Sequence, residues 1–176
     1  MRKVIIVAGI AVLLLATIVQ AAEYYTKHKD DHRRVEPAEG MALIYVFRPA
    51  VVGAAIKTWT FVDDQVIGVS KPKGYYFAQV EPGTRIVWAK AENTSALEVD
   101  LEAGKTYFFK TGIRLGLGKA RVSLDQIAES SAEKYFGKCS YCELTDSGRA
   151  RGAEIAANRM DRAENKVEKQ KSKNAE

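Results

Sequence analysis

Two cysteines three residues apart, in Cys139-Ser140-Tyr141-Cys142, are the side chains in this sequence best placed for covalent chemistry. A CxxC exchanges disulfides when its thiolate sits at a helix start after a strand in a βαβ context. In an oxidising compartment it closes a local disulfide. Here the pair follows a candidate helix, late in a strand-rich chain, and no further cysteine is present. The first reading is therefore a local Cys139–Cys142 disulfide. Free thiols, a redox dithiol and a two-cysteine metal site are the alternatives, the last needing further ligands that are not visible. So short a ring would add little stability through chain entropy.

The two histidines, His28 and His32, stand four apart around Asp30-Asp31. On a helix they would share a face, as metal ligands do. The surrounding stretch, Glu23 to Gly40, is a balanced mixture of charges closed by Pro37 and Gly40, and reads as a solvated linker. Residues 41–176 contain no histidine at all. That excludes a Ser-His-Asp triad, a Cys-His dyad and a histidine-ligated zinc from the main domain. The carboxylates Asp63, Asp64, Glu81, Glu92, Glu98, Asp100 and Glu102 fall in turns or on outward strand faces, and no pair stands out. Gly118-Lys119 fails as a phosphate loop, because Ile113 and Ala120 occupy the positions of its first glycine and its Ser/Thr; the dinucleotide fingerprint fails for want of a third glycine at Arg121. No catalytic, cofactor-binding or metal residue is assigned, and the expectation is a protein that is not an enzyme and needs no cofactor.

The elements that must position these residues begin with an apolar segment. Arg2 and Lys3 precede Val4–Ala22, which carries no charge. Cleavage after Ala21 would make residues 1–21 a signal peptide; retained, residues 4–22 would tether the chain to the inner membrane with the cations on the cytoplasmic side. A buried soluble helix is the remaining reading. Both main readings place the bulk of the chain in the periplasm or outside the cell. The 176 residues are 47% hydrophobic and 28% charged, in the range of an ordinary globular domain. The net charge of +5 is too small and too dispersed to indicate nucleic acid.

After the linker, residues 22–40, the domain at 41–142 breaks into short β-rich runs. Met41–Arg48 halts at Pro49; Thr58–Val62 and Gln65–Val69 flank Asp63-Asp64 as a hairpin; Tyr75–Val80 precedes Pro82-Gly83; then come Arg85–Ala91, Ala96–Leu101, Thr106–Lys110 and, past a glycine-spaced loop, Ala120–Ser123. Seven or eight strands at this spacing predict an antiparallel β-sandwich, Ig-like or transthyretin-like. Adjacent aromatics in Tyr75-Tyr76-Phe77 and Tyr107-Phe108-Phe109 point to opposite faces. Ser123-Leu124-Asp125-Gln126 reads as a capping box opening a helix that ends at Gly137. Residues 143–176 form a charged helical tail whose stripe of Ala153, Ala156, Met160, Ala163 and Val167 is thin, so weak packing and fraying are expected. Asn93-Thr94-Ser95 fits a glycosylation acceptor by pattern alone.

Several of these stretches share an order with a known family. Ala42-Leu43-Ile44-Tyr45-Val46-Phe47-Arg48-Pro49 resembles its opening strand. Asp63-Asp64-Gln65-Val66-Ile67-Gly68 resembles its DGKxIG turn, with Asp64 where glycine is usual. Gly74-Tyr75-Tyr76-Phe77 and Val80-Glu81-Pro82-Gly83-Thr84 resemble its GxYF and VxPGxH stretches, with Thr84 where histidine is common. Glu102 to Phe108 resembles its AGKTYYF stretch. In this order, over about residues 41–125, the chain is similar to the bacterial family called domain of unknown function 2846. The resemblance implies an exported, often lipoprotein-like β-sandwich and brings no established activity; the lipidated cysteine is absent here. The expected function is a non-enzymatic cell-envelope module that binds a protein or cell-wall component through edge strands or loops. The alternative is a thiol redox or redox-sensing protein using Cys139 and Cys142. A third reading is a tethered assembly protein pairing through residues 153–170.

Overall fold

Seven consecutive residues, Ala42–Arg48, are buried along their whole length, a pattern that requires cover on both faces of the sheet. The computed structural model describes residues 23–116 and 119–175; the apolar segment at 4–22 lies outside the described residues. The chain runs β1 (Tyr25–His28), β2 (Ala42–Arg48), β3 (Thr58–Val62), β4 (Gln65–Ser70), β5 (Gly74–Val80), β6 (Gly83–Lys90), β7 (Thr94–Leu101), β8 (Thr106–Gly116), β9 (Lys119–Ile127), α1 (Glu129–Phe136), β10 (Ser140–Leu144) and α2 (Asp146–Asn174). The fold is mainly β, with the strands in two open sheets stacked as a sandwich. One sheet is ordered β1-β10-β5-β2-β8-β9 and the other β4-β3-β6-β7.

Three cores separate four layers. Between the sheets lie Ile44, Val46, Tyr76, Val87, Phe109 and Val122 among others. On the outer face of the larger sheet, Tyr45, Phe47, Tyr75 and Phe108 pack under α1 through Ala132 and Phe136. On the outer face of the smaller sheet, Trp59, Phe61 and Trp88 pack under α2 through Ile155, Ala156, Ala163 and Val167. The aromatic triplets divide as the strand period demands: Tyr75 and Phe108 face α1, while Tyr76 and Phe109 face the sandwich interior.

Four expectations are corrected. The sheets are not wholly antiparallel, because β10 runs parallel to β5 and β2 parallel to β8. The helix does not open at Ser123. Residues 123–127 continue β9 against β8, because burial of Ala120, Val122 and Leu124 alternates with exposed Arg121 and Asp125, and this period of two outweighs the capping pattern. The described part of the 22–40 linker, residues 23–40, does not run free. Tyr25–His28 pairs with β10, and the following residues lie along α1 and the sheet: Arg34 forms a two-pronged pair with Glu133 at 3.0 and 2.9 Å, and the Tyr45 hydroxyl bonds the backbone of Val35.

The fourth correction concerns the tail. α2 is one helix of 29 residues whose Ala163 is fully buried. Its alanine stripe is thin because it lies close to the sheet. At Gly152 an added β-carbon would fall 2.5 Å from Val66, so only glycine permits the approach. Thr145 caps the helix by accepting from the Gly148 amide at 3.1 Å.

The β3–β4 hairpin is anchored by Asp63, which takes a positive φ of 50°, a conformation Asp tolerates better than most residues. Its carboxylate accepts from the Ile86 amide at 2.9 Å and pairs with Arg85 at 3.2 Å. Its carbonyl accepts from the Trp88 indole at 2.7 Å. The hairpin is thereby locked to β6, and Asp64 needs no glycine.

Candidate functional site

Cys139 and Cys142 are free thiols, not a disulfide. The reason is strand geometry. Both are buried, but Cys139 belongs to the layer under α1 and Cys142 to the sandwich interior. Three is an odd number, so residues three apart on an extended chain point to opposite faces; on a helix the same spacing would have brought them together. Burial pushes the Cys139 thiol up to about 12 and the Cys142 thiol up to about 11. At pH 8 a thiol of pKa about 12 is roughly one part in ten thousand thiolate, about a thousandfold less than an ordinary one. Iodoacetamide at pH 8 should therefore leave both unmodified in the native protein and modify both in guanidinium. Stoichiometric labelling of the folded chain within minutes, read by intact mass, would contradict this placement. The sign for stability follows. Folded thiols hold their protons to higher pH than unfolded ones, so their contribution is intact below about pH 9 and is lost as pH rises from there.

The histidines do not converge. His28 stacks on Tyr141, with centroids 5.6 Å apart, and meets Glu143 at 3.2 Å. The His32 Nδ1–H donates to the Cys139 carbonyl at 3.2 Å. The His28 ring joins β1 to β10, and the His32 ring ties the residues after β1 to the residue just before β10. Asn93 of the glycosylation pattern is similarly occupied: its side-chain amide donates to the Val122 carbonyl at 3.1 Å and its oxygen accepts from the Val122 amide at 2.5 Å.

A buried cation lies at the end of β2. The Arg48 guanidinium donates to the carbonyls of Ile56, Ser70, Val52 and Gly53, and no carboxylate pairs with it among the described residues. Burial lowers its pKa, and the nearby Tyr76 and Tyr25 work the other way. The group fastens the loop 49–57 across the sandwich end. Beside it the Ser70 hydroxyl is buried without a partner.

The cavity at this end is made differently. A space of about 810 Å³ is walled by Glu92, Asn93 and Thr94 of the β6–β7 turn, Ala120 and Arg121 of β9, and Arg162, Asn165, Lys166 and Lys169 of α2. The Glu92 carboxylate accepts from the Ala120 amide at 2.6 Å. Arg121, Arg162, Lys166 and Lys169 have no ion pair among the described residues. The signal for this cluster was present in the chain. Arg159, Arg162, Lys166 and Lys169 recur at three and four, which puts them on one side of a helix; only the apolar stripe of the tail drew notice.

Residues 38–124 match the model of the family described as "Protein of unknown function (DUF2846)". The segment 38–124 belongs to that family. The DUF2846 match covers β2 through most of β9 and stops before α1, the cysteines and α2. The cavity's strand side therefore lies inside the family match and its helix side beyond it. The chain is also similar to an uncharacterized protein of Haemophilus influenzae, 27% identical over 135 residues, which takes in 75% of this chain and 79% of that protein.

Proposed function

We propose that the chain is a non-catalytic binding module of the cell envelope, exported from the cytoplasm, that recognises a protein or another envelope component. The observation carrying this reading is how its chemically versatile side chains are used. His28, His32, Cys139 and Cys142 are all taken up in joining β10 and the β1 segment to their neighbours. The open cavity is lined by four cations, two side-chain amides, Thr94, Ala120 and the Glu92 carboxylate, with no thiol or imidazole among them. Strand addition is not the favoured mode at the β9 edge, which borders the cavity. The β9 edge amides of Ala120, Val122 and Leu124 already donate to side chains of Glu92, Asn93 and Ser95, which blunts that edge. Loops and the α2 flank at the cavity end remain as the contact surface.

A photo-crosslinking residue at Arg121 or Val52, in cells making the full chain, should give a discrete adduct in the envelope fraction. The same residue at Glu129, on α1, should not. Recovery of the protein from the cytoplasm, or adducts no different between the two sites, would defeat the proposal.

A further inference from the structure

We infer that the sandwich end bearing the loop 49–57 docks on an anionic lipid bilayer. The inference rests on the binding-module reading above and names its partner. Three separate features meet at this end.

The first is apolar. β2 finishes at Arg48, whereas β8 pairs with it only as far as Lys110 and continues to Gly116. The β8–β9 tip thus projects past β2 beside the loop 49–57, and a β-carbon at position 53 would lie 2.7 Å from Ile113. The large apolar side chains left exposed among the described residues are Val51 at 62%, Val52 at 50% and Leu115 at 67%, all on these two tips. Single exposed residues are ordinary; a group of them at one end marks a contact surface.

The second is cationic. Leu115 pairs in register with Ala120, which lines the cavity of Arg121, Arg162, Lys166 and Lys169. Half-buried Lys90 borders the adjoining cavity with Arg151 and Arg159. Burial and then the charges of Arg159, Arg151 and Arg162 disfavour its ammonium form. Glu92 and Glu154 also line these cavities, and Arg151 pairs with Glu154 at 2.5 Å; the cations still outnumber them, so an added anion would relieve the repulsion that remains. α2 also segregates its charges: Arg162, Lys166 and Lys169 lie on the cavity flank, while Asp161, Glu164 and Glu168 fall by helical spacing on the solvent side.

The third is the position of the first described residues. The Tyr24 ring packs 5.2 Å from Trp59, and the Lys57 ammonium stands 4.4 Å over it. Lys57 is the last residue of the same loop. Tyr24 thus lies beside this end, and in sequence it follows closely on the uncharged stretch 4–22. Apolar tips beside unpaired cations match a bilayer interface of negative surface charge. A free phosphate would account for the cations and not for the tips.

The test uses the full chain in vesicles with Leu115→Cys carrying an environment-sensitive fluorophore; the buried native thiols stay unlabelled. Every variant carries the same residues 1–22, so differences between variants report docking of this end. A blue shift is expected with phosphatidylglycerol in phosphatidylcholine, weakened by salt, and none with phosphatidylcholine alone. Each neutralised cation should weaken docking roughly fivefold, so Arg162→Gln/Lys166→Gln/Lys169→Gln should weaken it on the order of a hundredfold. Val51→Ser/Val52→Ser, which line neither cavity, should reduce the shift with charges intact. Equal shifts in both lipids, no shift in either, or suppression by inorganic phosphate at constant ionic strength would overturn the inference. A protein adduct from Arg121 would in those cases leave the binding-module reading standing.

Discussion

A chain ended at Thr145 is expected to lose the sandwich, not merely a tail. The residues after Thr145 cover the outer face of the smaller sheet, where both tryptophans lie. Trp88 is fully buried and stacks on Phe61 with centroids 3.9 Å apart; Trp59, Val69 and Ala96 complete the floor. Ile155, Ala156, Ala163 and Val167 form the roof. Burial of an Ile or Val side chain is worth about 1.5–3 kcal/mol, so Ile155 and Val167 alone contribute roughly 3–6 kcal/mol before the uncovered tryptophans are counted. Domains are stable by only about 5–15 kcal/mol. The truncated chain should aggregate or melt without cooperativity, with tryptophan emission shifted to the red. Ala163→Glu in the full chain asks the same question gently, by placing a carboxylate at a position with no exposure; it should lower the melting temperature by about 10 °C or more. A truncated chain that melts cooperatively within about 5 °C of the full one would mean that α2 is an appendage.

That result bears on what a sequence shows. The strands from Ala42 to Leu101 were legible because each is bounded by a turn with its own chemistry: Arg48-Pro49, Asp63-Asp64, Pro82-Gly83 and Ala103-Gly104. The errors fall where two periods compete or where pairing is distant. Residues 119–127 alternate as a strand yet contain a Ser-x-x-Gln pattern. Tyr25–His28 has no apolar alternation and becomes a strand only because β10, far along the chain, supplies a partner. The tail looked weak because its buried stripe is alanine, although small side chains are what let a helix lie close to a sheet. The cysteines show the same dependence. A spacing of three has no meaning until the backbone is known, and where the extended chain enters β10 it separates the pair.

The candidate site follows from these misread elements. Its strand side was visible as turns and as the strand holding Arg121, but its other cations lie on α2, and they meet Arg121 only because α2 packs along the smaller sheet. The amides of Ala120, Val122 and Leu124, held by Glu92, Asn93 and Ser95, close the seam between the two sheets. They also set the cavity wall against which α2 lies. Packing and the proposed contact surface therefore share the same side chains.

Gly68→Ala, a change of one methyl group, should have an effect nearly as large as the truncation. The strand pair β3–β4 shifts register between Thr60 and Phe61, with Thr60 opposite Gly68 and Phe61 opposite Val66. Ile67 is thus an extra residue, a bulge. Val66 and Val69 are three apart and would face opposite ways on a regular strand; the bulge returns both to the core under α2. Its consequence is that Gly68 faces inward against Tyr76. An added β-carbon would lie within 2.5 Å of three ring carbons. The ring has nowhere to go. It is buried between the sheets, and its hydroxyl meets the Thr60 Oγ1 at 2.6 Å. The strands must separate or the tyrosine must leave its rotamer, at a cost of about 3 kcal/mol or more. For a chain of this size that is a fall of roughly 6–12 °C in Tm. Tyr76→Ala should itself destabilise, but on that background Gly68→Ala should cost far less, with a coupling of about 1.5 kcal/mol or more in a double-mutant cycle. Equal penalties on both backgrounds would place the cause in the backbone of the bulge instead of in the ring.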